Sequence, residues 1–327
     1  MRAAVAVAQS MEDPLAGLSL EEVATPQAQP GWTRIRVRAA SLNPHDIWTL
    51  RGVGHPAERI PMVLGCDGAG VTDAGDDVVI HPVLGDPNRG GGDVTFDPRR
   101  ALLTETVNGA LAEYVLVPDS CVVPKPEWLS FEDAATLGIV WGTAYRMLFT
   151  RARLRAGDRV LVQGASGGVG SAAISLARAA GARVFATART QAKRDFALAV
   201  GAHEVFESGA RLPERVDVVV DTVGEATWGH SLRSLQPGGT IVTCGATTGN
   251  MPPAELNRIF FQQLSVVGST GSTRSEFEAL IRFLGAAGIR PHIDSVLPFD
   301  EVRSGFQRLI DGDVRGKLVV SAPDAPR

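Results

Sequence analysis

A short glycine-rich stretch in the middle of the chain constrains the fold more than any other feature. The apolar run 160–162 is followed by Gln-Gly-Ala-Ser-Gly-Gly-Val-Gly at 163–170, and then by small residues at 171–177. A buried strand that turns at glycines into a helix lets backbone N–H groups approach a pyrophosphate closely. The unit 159–188 spans about thirty residues, the length of a dinucleotide-binding βαβ unit. The pattern therefore predicts a dinucleotide site.

The same stretch also matches the nucleophile elbow of α/β-hydrolases. Residues 164–168 fit G-x-S-x-G with Ser166 as the nucleophile, and Asp221 and His292 follow in the order of a hydrolase triad. A hydrolase does not need the further glycines of this loop, and the chain has no HGGG-like oxyanion segment. A Ser166 hydrolase is kept as an alternative.

Strands and helices alternate on both sides of this loop. The predicted strands are 159–163, 183–188, 203–206, 216–223, 240–245 and 264–269, and the predicted helices are 168–180, 191–200, 226–235, 254–263 and 276–285. This alternation indicates βαβ units and a parallel sheet. The remainder is β-type, with runs at 1–8, 33–40, 69–80 and 316–321 and a glycine-rich surface loop at 85–92.

The residues after the second strand of the βαβ unit indicate which dinucleotide fits. An acidic residue about twenty positions past the glycines would bond the ribose 2′-hydroxyl of NAD, whereas Arg suits the 2′-phosphate of NADP. Here Arg189, Thr190 and Lys193 occur with no carboxylate before Asp195. NADP(H) is therefore the predicted cofactor, and the alternative for these cations is a solvated helix face.

Composition and charge exclude several classes of protein. The 327 residues carry a net charge of −4 without a basic tract, so we expect no nucleic-acid partner. The three cysteines are far apart, which predicts no disulfide framework. The uncharged run 234–254 contains three prolines and four glycines, so we expect no membrane segment. These features predict a soluble, cytoplasmic protein.

Several short motifs recur in a specific order and spacing. They are Ser41–Asp46, Leu64–Gly70, Gly142–Tyr145, Gly164–Gly170, Asp217–Gly224, Thr243–Gly245 and Gly316–Lys317. Together they resemble the medium-chain dehydrogenase/reductase superfamily over nearly the whole chain, and its quinone-oxidoreductase branch and alcohol-dehydrogenase-like relatives in particular. The resemblance implies an α/β protein with two domains. A GroES-like, β-rich catalytic domain would comprise residues 1–127 and 290–327, and a Rossmann domain with a doubly wound parallel sheet would comprise 128–289. It also implies a cleft between the domains and a homodimer formed through the outer Rossmann strand, here 264–269.

The resemblance includes a departure at the metal site. Zinc members hold their catalytic metal with a Cys, a His-Glu pair and a second Cys, and those places are occupied here by Asn43, Cys66-Asp67 and Ile139. An amide and an isoleucine cannot replace thiolates in a tetrahedral N/S site. We therefore expect no metal, and a makeshift site of His45, Cys66 and Asp67 is the alternative.

The resemblance places Asn43 and Asp46 beside the nicotinamide. Without a metal, hydrogen bonds must stabilise developing oxyanion charge, so the Asn43 amide is the preferred donor, Asp46 would orient the ribose or relay a proton, and Tyr145 would donate or pack. The expected cofactor-binding residues are Thr143, Ala165, Ser166, Gly167, Gly168, Val169, Gly170, Arg189, Thr190, Lys193, Val223, Cys244, Gly245, Ala246, Gly268, Ser269, Thr270 and Lys317.

These observations predict an NADPH-dependent oxidoreductase that transfers hydride to a quinone or an α,β-unsaturated carbonyl without zinc. Alkoxide formation from a saturated alcohol would be poorly supported without a metal. Three alternatives stay open: a zinc-type alcohol dehydrogenase with the makeshift site, the Ser166 hydrolase, and an NADPH-binding protein with little turnover.

Overall fold

Residues 1–323 are described by a computed structural model, in which the chain forms two units. Unit 1 comprises Met1–Ile139, Thr273–Ile281 and the segment from Ile293 onward, and unit 2 comprises Val140–Ser272 and Arg282–His292. The domain limits expected above stay a prediction, and the last four residues of the expected segment 290–327 lie outside the described residues.

The N-terminal part of unit 1 consists mainly of strands. They are β1 (Arg2–Ala6), β2 (Leu18–Glu22), β3 (Trp32–Ser41), β4 (Met62–Val63), β5 (Asp67–Thr72), β6 (Asp77–Ile80), β7 (Val83–Leu84), β8 (Ala101–Leu102), β9 (Tyr114–Pro118) and β10 (Val122–Pro124). The α-helices are α1 (Pro44–Arg51) and α2 (Phe131–Ala134), and 3₁₀ turns lie at Pro14–Gly17, Ala57–Arg59, Pro87–Gly90, Val94–Phe96 and Asp119–Cys121.

Strands and helices alternate in the rest of the chain. A π-helical turn at Leu137–Trp141, helix α3 (Gly142–Tyr145) and a second π-helical turn at Arg146–Arg151 come first. The elements that follow are β11 (Arg159–Val162), α4 (Gly168–Ala179), β12 (Arg183–Thr187), α5 (Gln191–Ala199), β13 (Glu204–Phe206), β14 (Val216–Asp221), α6 (Glu225–Ser234), β15 (Leu235–Thr243), α7 (Leu256–Phe261), β16 (Ser265–Gly268) and α8 (Arg274–Ala287). The last are β17 (Ile293–Leu297), a 3₁₀ turn at Phe299–Glu301, α9 (Val302–Asp311) and β18 (Lys317–Ser321).

The main sheet of unit 1 joins the two ends of the described chain. Its strand order is β10-β6-β5-β3-β18-β17, with β9 also paired to β3. Buried Ile35 and Val37 alternate with exposed Arg36 along β3, which is the period-two pattern of a half-buried strand. Strand β18 pairs antiparallel with β3, and Val319 lies opposite Ser41. The expected β-rich sheet is therefore confirmed, and it contains strands from both ends of the described chain.

Unit 2 contains a six-stranded parallel sheet in the order β13-β12-β11-β14-β15-β16. The chain moves outward from β11 in one direction and from β14 in the other, which is a doubly wound topology. Val160, Leu161 and Val162 are fully buried, as expected for a strand covered on both faces. The predicted parallel α/β architecture is confirmed.

One strand of unit 2 starts earlier than the sequence predicts. We expected 240–245, and β15 spans Leu235–Thr243. The Pro-Gly-Gly segment at 237–239, which reads as a turn, is an irregularity within the ladder: Val216 pairs with Leu235, and Val218 already pairs with Thr240. The bulge absorbs the extra residues, so the strand continues through them.

The glycine-rich segment 85–92 is mostly exposed, which confirms the predicted surface loop. An ion pair anchors this loop, because the guanidinium of exposed Arg89 donates to both carboxylate oxygens of buried Asp97, at 3.0 and 2.7 Å. Among residues 1–323, no helix is long and apolar enough to cross a bilayer.

Candidate active site

The loop between β11 and α4 lacks side chains where a phosphate would approach. Gly164 adopts the left-handed conformation (φ +65°), and Gly167 precedes the first helical residue. A Cβ atom on Gly170 would lie 2.5 Å from the Gly164 carbonyl oxygen, so any side chain there would clash. Gly167 is exposed, and Ser166 and Val169 are partly exposed. The loop and the N-terminus of the 12-residue helix therefore fit a dinucleotide pyrophosphate.

The turn after β12 carries one cation without a protein partner. Arg189 and Thr190 are exposed, and among residues 1–323 the Arg189 guanidinium makes no hydrogen bond or ion pair. Thr190 is the N-cap of α5, and its Oγ1 accepts from the Lys193 N–H at 3.4 Å. Arg194 donates to the Ala188 carbonyl oxygen at 3.2 Å and so fixes the turn. Arg189 is left available for an anionic ligand.

The hydrolase triad is not assembled. Asp221 is fully buried and accepts hydrogen bonds from Thr227 and Ser231, whereas His292 packs edge-on against the Phe196 ring at 4.7 Å between centroids. Within the described chain no hydrogen bond joins these two residues to each other or to Ser166. The geometry therefore gives no support to the Ser166 hydrolase.

The remaining expected cofactor residues of unit 2 follow the carboxyl ends of parallel strands or lie in α3. Val223 follows β14, residues 244–246 follow β15, and residues 268–270 end and follow β16. Ligands of open α/β sheets bind at this edge. Burial raises the pKa of the Cys244 thiol to about 12, so it stays protonated and is no nucleophile. Lys193 lies on α5 and Thr143 is buried in α3.

Tyr145 lies in an aromatic cluster. Its ring centroid is 4.7 Å from that of Phe149 and 6.5 Å from that of Phe283. Aromatic pairs at these separations stabilise packing. The geometry favours the packing alternative for Tyr145 over a donor role.

In unit 1, a buried polar cluster surrounds the Asn43 side chain. Its Nδ2 donates to Asp67 Oδ2 at 2.9 Å and to the Ser41 carbonyl oxygen at 3.3 Å, and its Oδ1 accepts from Lys317 Nζ at 2.6 Å. The side chain is fully buried. Both N–H groups of the predicted oxyanion donor are thus engaged within the protein, and sequence reasoning did not reveal this.

Lys317 belongs to this cluster. Its ammonium donates to the Leu42 carbonyl oxygen at 2.9 Å and lies 3.5 Å from Asp67 Oδ2, and its side chain is 4% exposed. The backbone N–H of Ile139 donates to Asp67 Oδ1 at 2.7 Å. Zinc members hold their metal at four places, and three of these are occupied here by Asn43, Asp67 and Ile139. Asp67 accepts from the other two, and the Lys317 ammonium donates to Asn43. Lys317 was expected to bind the cofactor. Its Nζ contacts three oxygen atoms of unit 1, from Leu42, Asn43 and Asp67, and its cofactor role remains a prediction.

Asp46 stabilises the backbone where α1 begins. Its carboxylate oxygens accept from the N–H groups of Asn43 at 3.1 Å and Gly65 at 2.8 Å. Burial raises the pKa of Asp46. With both oxygens held by backbone, Asp46 is placed as a structural group, and the relay role remains a prediction.

The makeshift metal site has a different composition from the one expected. The ligand atoms of three side chains lie within 4.8 Å of one another: those of His45, Asp46 and Cys66. Asp46 thus replaces Asp67 as the carboxylate of the expected set. His45 Nε2 is 3.0 Å from Glu105 Oε1, and burial, with the carboxylates of Asp46 and Asp67, raises the pKa of the Cys66 thiol well above its usual value. A cysteine that binds zinc does so as a thiolate, and each ligand must point a free lone pair at the metal. His45 and Asp46 are already bonded within the protein, so the three side chains do not fit a preformed zinc site.

The imidazole of His45 stays basic beside Glu105. Burial lowers its pKa, but the hydrogen bond to Glu105 and the nearby charge of Asp46 outweigh burial and raise the pKa overall. Glu105 was missed from the sequence because no motif marks it and 60 residues separate it from its partner.

Comparisons with known proteins agree with this architecture. Residues 29–127 match the alcohol dehydrogenase GroES-like domain, and residues 168–286 match the zinc-binding dehydrogenase family. The chain is 31% identical to quinone oxidoreductase of Mus musculus, over 91% of this chain and 92% of that protein.

Two solved structures share the fold over nearly the whole chain. A crystal structure of an NAD-dependent alcohol dehydrogenase is 34% identical, with a TM-score of 0.91 over 98% of this chain and 100% of that chain. A 2-octenoyl-CoA carboxylase reductase in complex with NADP and 2-octenoyl-CoA is 26% identical, with a TM-score of 0.88 over 99% and 88% of the two chains. These relatives differ in cofactor, so the cofactor of this chain must be argued from its own residues. The chain is an oxidoreductase that belongs to the medium-chain dehydrogenase/reductase superfamily, in its quinone-oxidoreductase-like part.

Proposed function

We propose that this oxidoreductase uses NADPH to reduce a quinone or an α,β-unsaturated carbonyl without zinc. When bound, the cofactor supplies the hydride. The observation that carries the cofactor assignment is the unpaired, exposed guanidinium of Arg189 directly after β12. A cation at this place suits a 2′-phosphate, and a carboxylate suits a 2′-hydroxyl.

The polar cluster of unit 1 supports a reaction without zinc. Asp67 accepts from Ser41, Asn43 and the Ile139 N–H, and it lies beside the Lys317 ammonium. A metal at this place would have to displace donors that already satisfy the carboxylate. The positive charge near Asn43 is then supplied by Lys317.

An electron-poor acceptor suits these groups. Hydride addition to a quinone or an enone spreads charge into an enolate-type oxygen, which hydrogen bonds can stabilise. We assign that donor role to Asn43, whose N–H toward the Ser41 carbonyl oxygen is the longer of its two bonds, at 3.3 Å against 2.9 Å. That N–H has the weaker acceptor within the protein, so it is the one that we assign to a substrate oxygen.

The cofactor assignment is tested by the dissociation constants of Arg189→Ala for NADPH and NADH. A charge-assisted contact contributes about 1.5–3 kcal/mol, so NADPH affinity should fall about tenfold to a hundredfold while NADH affinity changes little. Arg178→Ala is the matched control, because it removes the same charge from the exposed end of α4. Equal losses for both cofactors, or a wild type that prefers NADH, would contradict the assignment.

The reaction is tested by steady-state rates on matched quinones, enones and saturated alcohols, before and after dialysis against a chelator. We expect NADPH consumption with quinones or enones that survives chelation, and negligible NADP⁺ reduction with alcohols. Activity that disappears with the metal, or robust alcohol oxidation by metal-free protein, would show that the proposal is wrong.

A homodimer through β16 is also proposed. Within the described chain β16 pairs only with β15, which leaves one edge of the sheet of unit 2 open. Val266 on this strand and Phe261 on α7 are 46% and 73% exposed. Light scattering should give twice the chain mass for the wild type and a monomer for Val266→Glu, and a monomeric wild type would refute the proposal.

A further inference from the structure

Three adjacent strands of unit 2 end in polar side chains at one level of the sheet. The register pairs Val162 with Ala186 on one side and with Val220 on the other. The next residues along the strands, Gln163, Thr187 and Asp221, therefore lie side by side, and their side chains are at most 1% exposed. Buried polar groups must find partners.

Gln163 provides the partners that join this row. Its Oε1 accepts from the Thr187 hydroxyl, and its Nε2 donates to Ser231 Oγ at 3.0 Å and to His230 Nδ1 at 2.8 Å. Ser231 in turn donates to Asp221 Oδ2 at 2.6 Å. An unbroken chain of hydrogen bonds thus runs from β12 through β11 and α6 to β14.

The chain of hydrogen bonds continues into the turn after β14. Asp221 Oδ1 accepts from the backbone N–H groups of Val223 at 2.9 Å and Gly224 at 3.1 Å. Thr227 Oγ1 donates to the same carboxylate, at 2.9 Å from Oδ2. The carboxylate therefore sets the backbone conformation of this turn.

Hydrogen-bond complementarity fixes the imidazole of His230 in one form. Its Nε2 lies 2.8 Å from the Ala210 carbonyl oxygen, which can only accept, so the proton is on Nε2. Nδ1 is then the acceptor for Gln163 Nε2. Every member of the chain has one compatible orientation, and this rigidity is what a fully satisfied buried network provides.

The three linked residues lie just before three turns that are expected to bind the cofactor. Gln163 precedes the glycine loop, Thr187 precedes Ala188-Arg189, and Asp221 lies two residues before Val223. We propose that Gln163 is a positioning residue for the dinucleotide, which couples these turns through Thr187 on one side and Ser231 with Asp221 on the other. The inference rests on the proposed dinucleotide site and extends it to residues that do not touch the ligand.

The test breaks the chain of hydrogen bonds on either side of Gln163. Thr187→Val removes one hydroxyl at nearly constant volume, and Ser231→Ala removes the other link. Each variant should lower the affinity for NADPH and for NADH by the same factor, about threefold to tenfold, because one hydrogen bond is lost and both cofactors share these turns. The double variant should bind no more weakly than the weaker single variant, because one break already uncouples the turns.

Two further variants separate positioning from simple stability. Thr187→Ser keeps the hydroxyl and should bind within about twofold of the wild type by the same hydrogen-bond arithmetic. Ser175→Ala removes a hydrogen bond of the same kind within unit 2, from Ser175 Oγ to the Val200 carbonyl oxygen at 3.0 Å, away from the three turns. It should lower the Tm slightly and leave both dissociation constants unchanged.

The outcomes distinguish this inference from the cofactor assignment. Lower Tm values with unchanged dissociation constants, or losses that multiply in the double variant, would overturn the positioning role. A wild type that prefers NADH would contradict only the NADPH assignment, because the coupling is measured on whichever dinucleotide binds. A wild type that binds neither would refute the proposed function itself.

Discussion

Replacing Lys317 with methionine removes a buried ammonium and keeps most of the length of the side chain. The ammonium donates to the Leu42 carbonyl oxygen and Asn43 Oδ1 and lies 3.5 Å from Asp67 Oδ2, and both charged side chains are almost fully buried. Removing one partner of a buried ion pair costs about 3–5 kcal/mol, because the other charge stays buried without compensation.

The remaining donors place the expected cost at the lower end of this range. Asp67 keeps hydrogen bonds from Ser41 Oγ at 2.9 Å, Asn43 Nδ2 at 2.9 Å and the Ile139 N–H at 2.7 Å. We therefore expect a loss of about 3 kcal/mol in the free energy of unfolding. At about 2–4 °C per kcal/mol for 150–250 residues, the Tm should fall by about 6–12 °C.

Calorimetry of a double-mutant cycle provides the assay. Asp67→Asn removes the carboxylate charge, so the double variant with Lys317→Met should lose less stability than the sum of the two single variants, by at least about 1 kcal/mol. NADPH dissociation constants are measured on the same samples. A Lys317→Met variant with an unchanged Tm and a large loss of NADPH affinity would refute this reasoning and support the cofactor contact implied by the family resemblance.

Three further results are expected. Gly170→Ala should lower the Tm and NADPH affinity, because its Cβ would lie 2.5 Å from the Gly164 carbonyl oxygen, whereas the nearest atom to a Cβ at Gly167 is 3.6 Å away; equal Tm losses for the two alanine variants would contradict the steric argument. Asn43→Ala should lower kcat tenfold to a thousandfold, as loss of one oxyanion donor does, with NADPH binding nearly unchanged; an unaltered kcat in stopped-flow reduction assays would exclude the donor role. Burial lowers the pKa of His230 below 6.5, so its stabilising neutral form is fully present above about pH 6.5 and its contribution is lost as the pH falls toward the folded-state value. Chemical denaturation from pH 7.5 to 5 should therefore show that the free energy of unfolding falls more steeply with pH for the wild type than for His230→Gln. Parallel plots of stability against pH would contradict this.

Local patterns in the sequence predicted most of the fold. The strand, glycine loop and helix at 160–177 lie within one segment, and Gly170 has a steric reason inside it, because a Cβ there would meet Gly164 and Ala165. The alternation in β3 likewise follows from period two. The start of β15 could not be predicted, because the bulge that carries it through Pro-Gly-Gly depends on pairing with β14.

The partners of the candidate site residues could not be predicted from local patterns. Asn43 was identified by its motif, but its amide is held by Lys317, 274 residues later in the chain. Gln163 lies inside the recognised loop motif, and its partners Ser231 and His230 come from a helix whose sequence marks neither. Buried polar side chains are matched across the fold, so their pairing follows from tertiary structure.

The pairing of β18 with β3 has a consequence for the order in which the protein is made. Asp67 and Lys317 are 250 residues apart, and unit 2 is encoded almost entirely between them. At about 5–20 residues per second, the ribosome needs about 12–50 seconds to reach Lys317 after Asp67. During that interval the six strands of unit 2 can pair among themselves, while β3 pairs with β5 and β9 but lacks β18, so Ala39–Ser41 stay unpaired on that side. The nascent chain therefore carries a complete parallel sheet of unit 2 while the sheet of unit 1 is incomplete, and its aggregation hazard lies in the strands that were translated first.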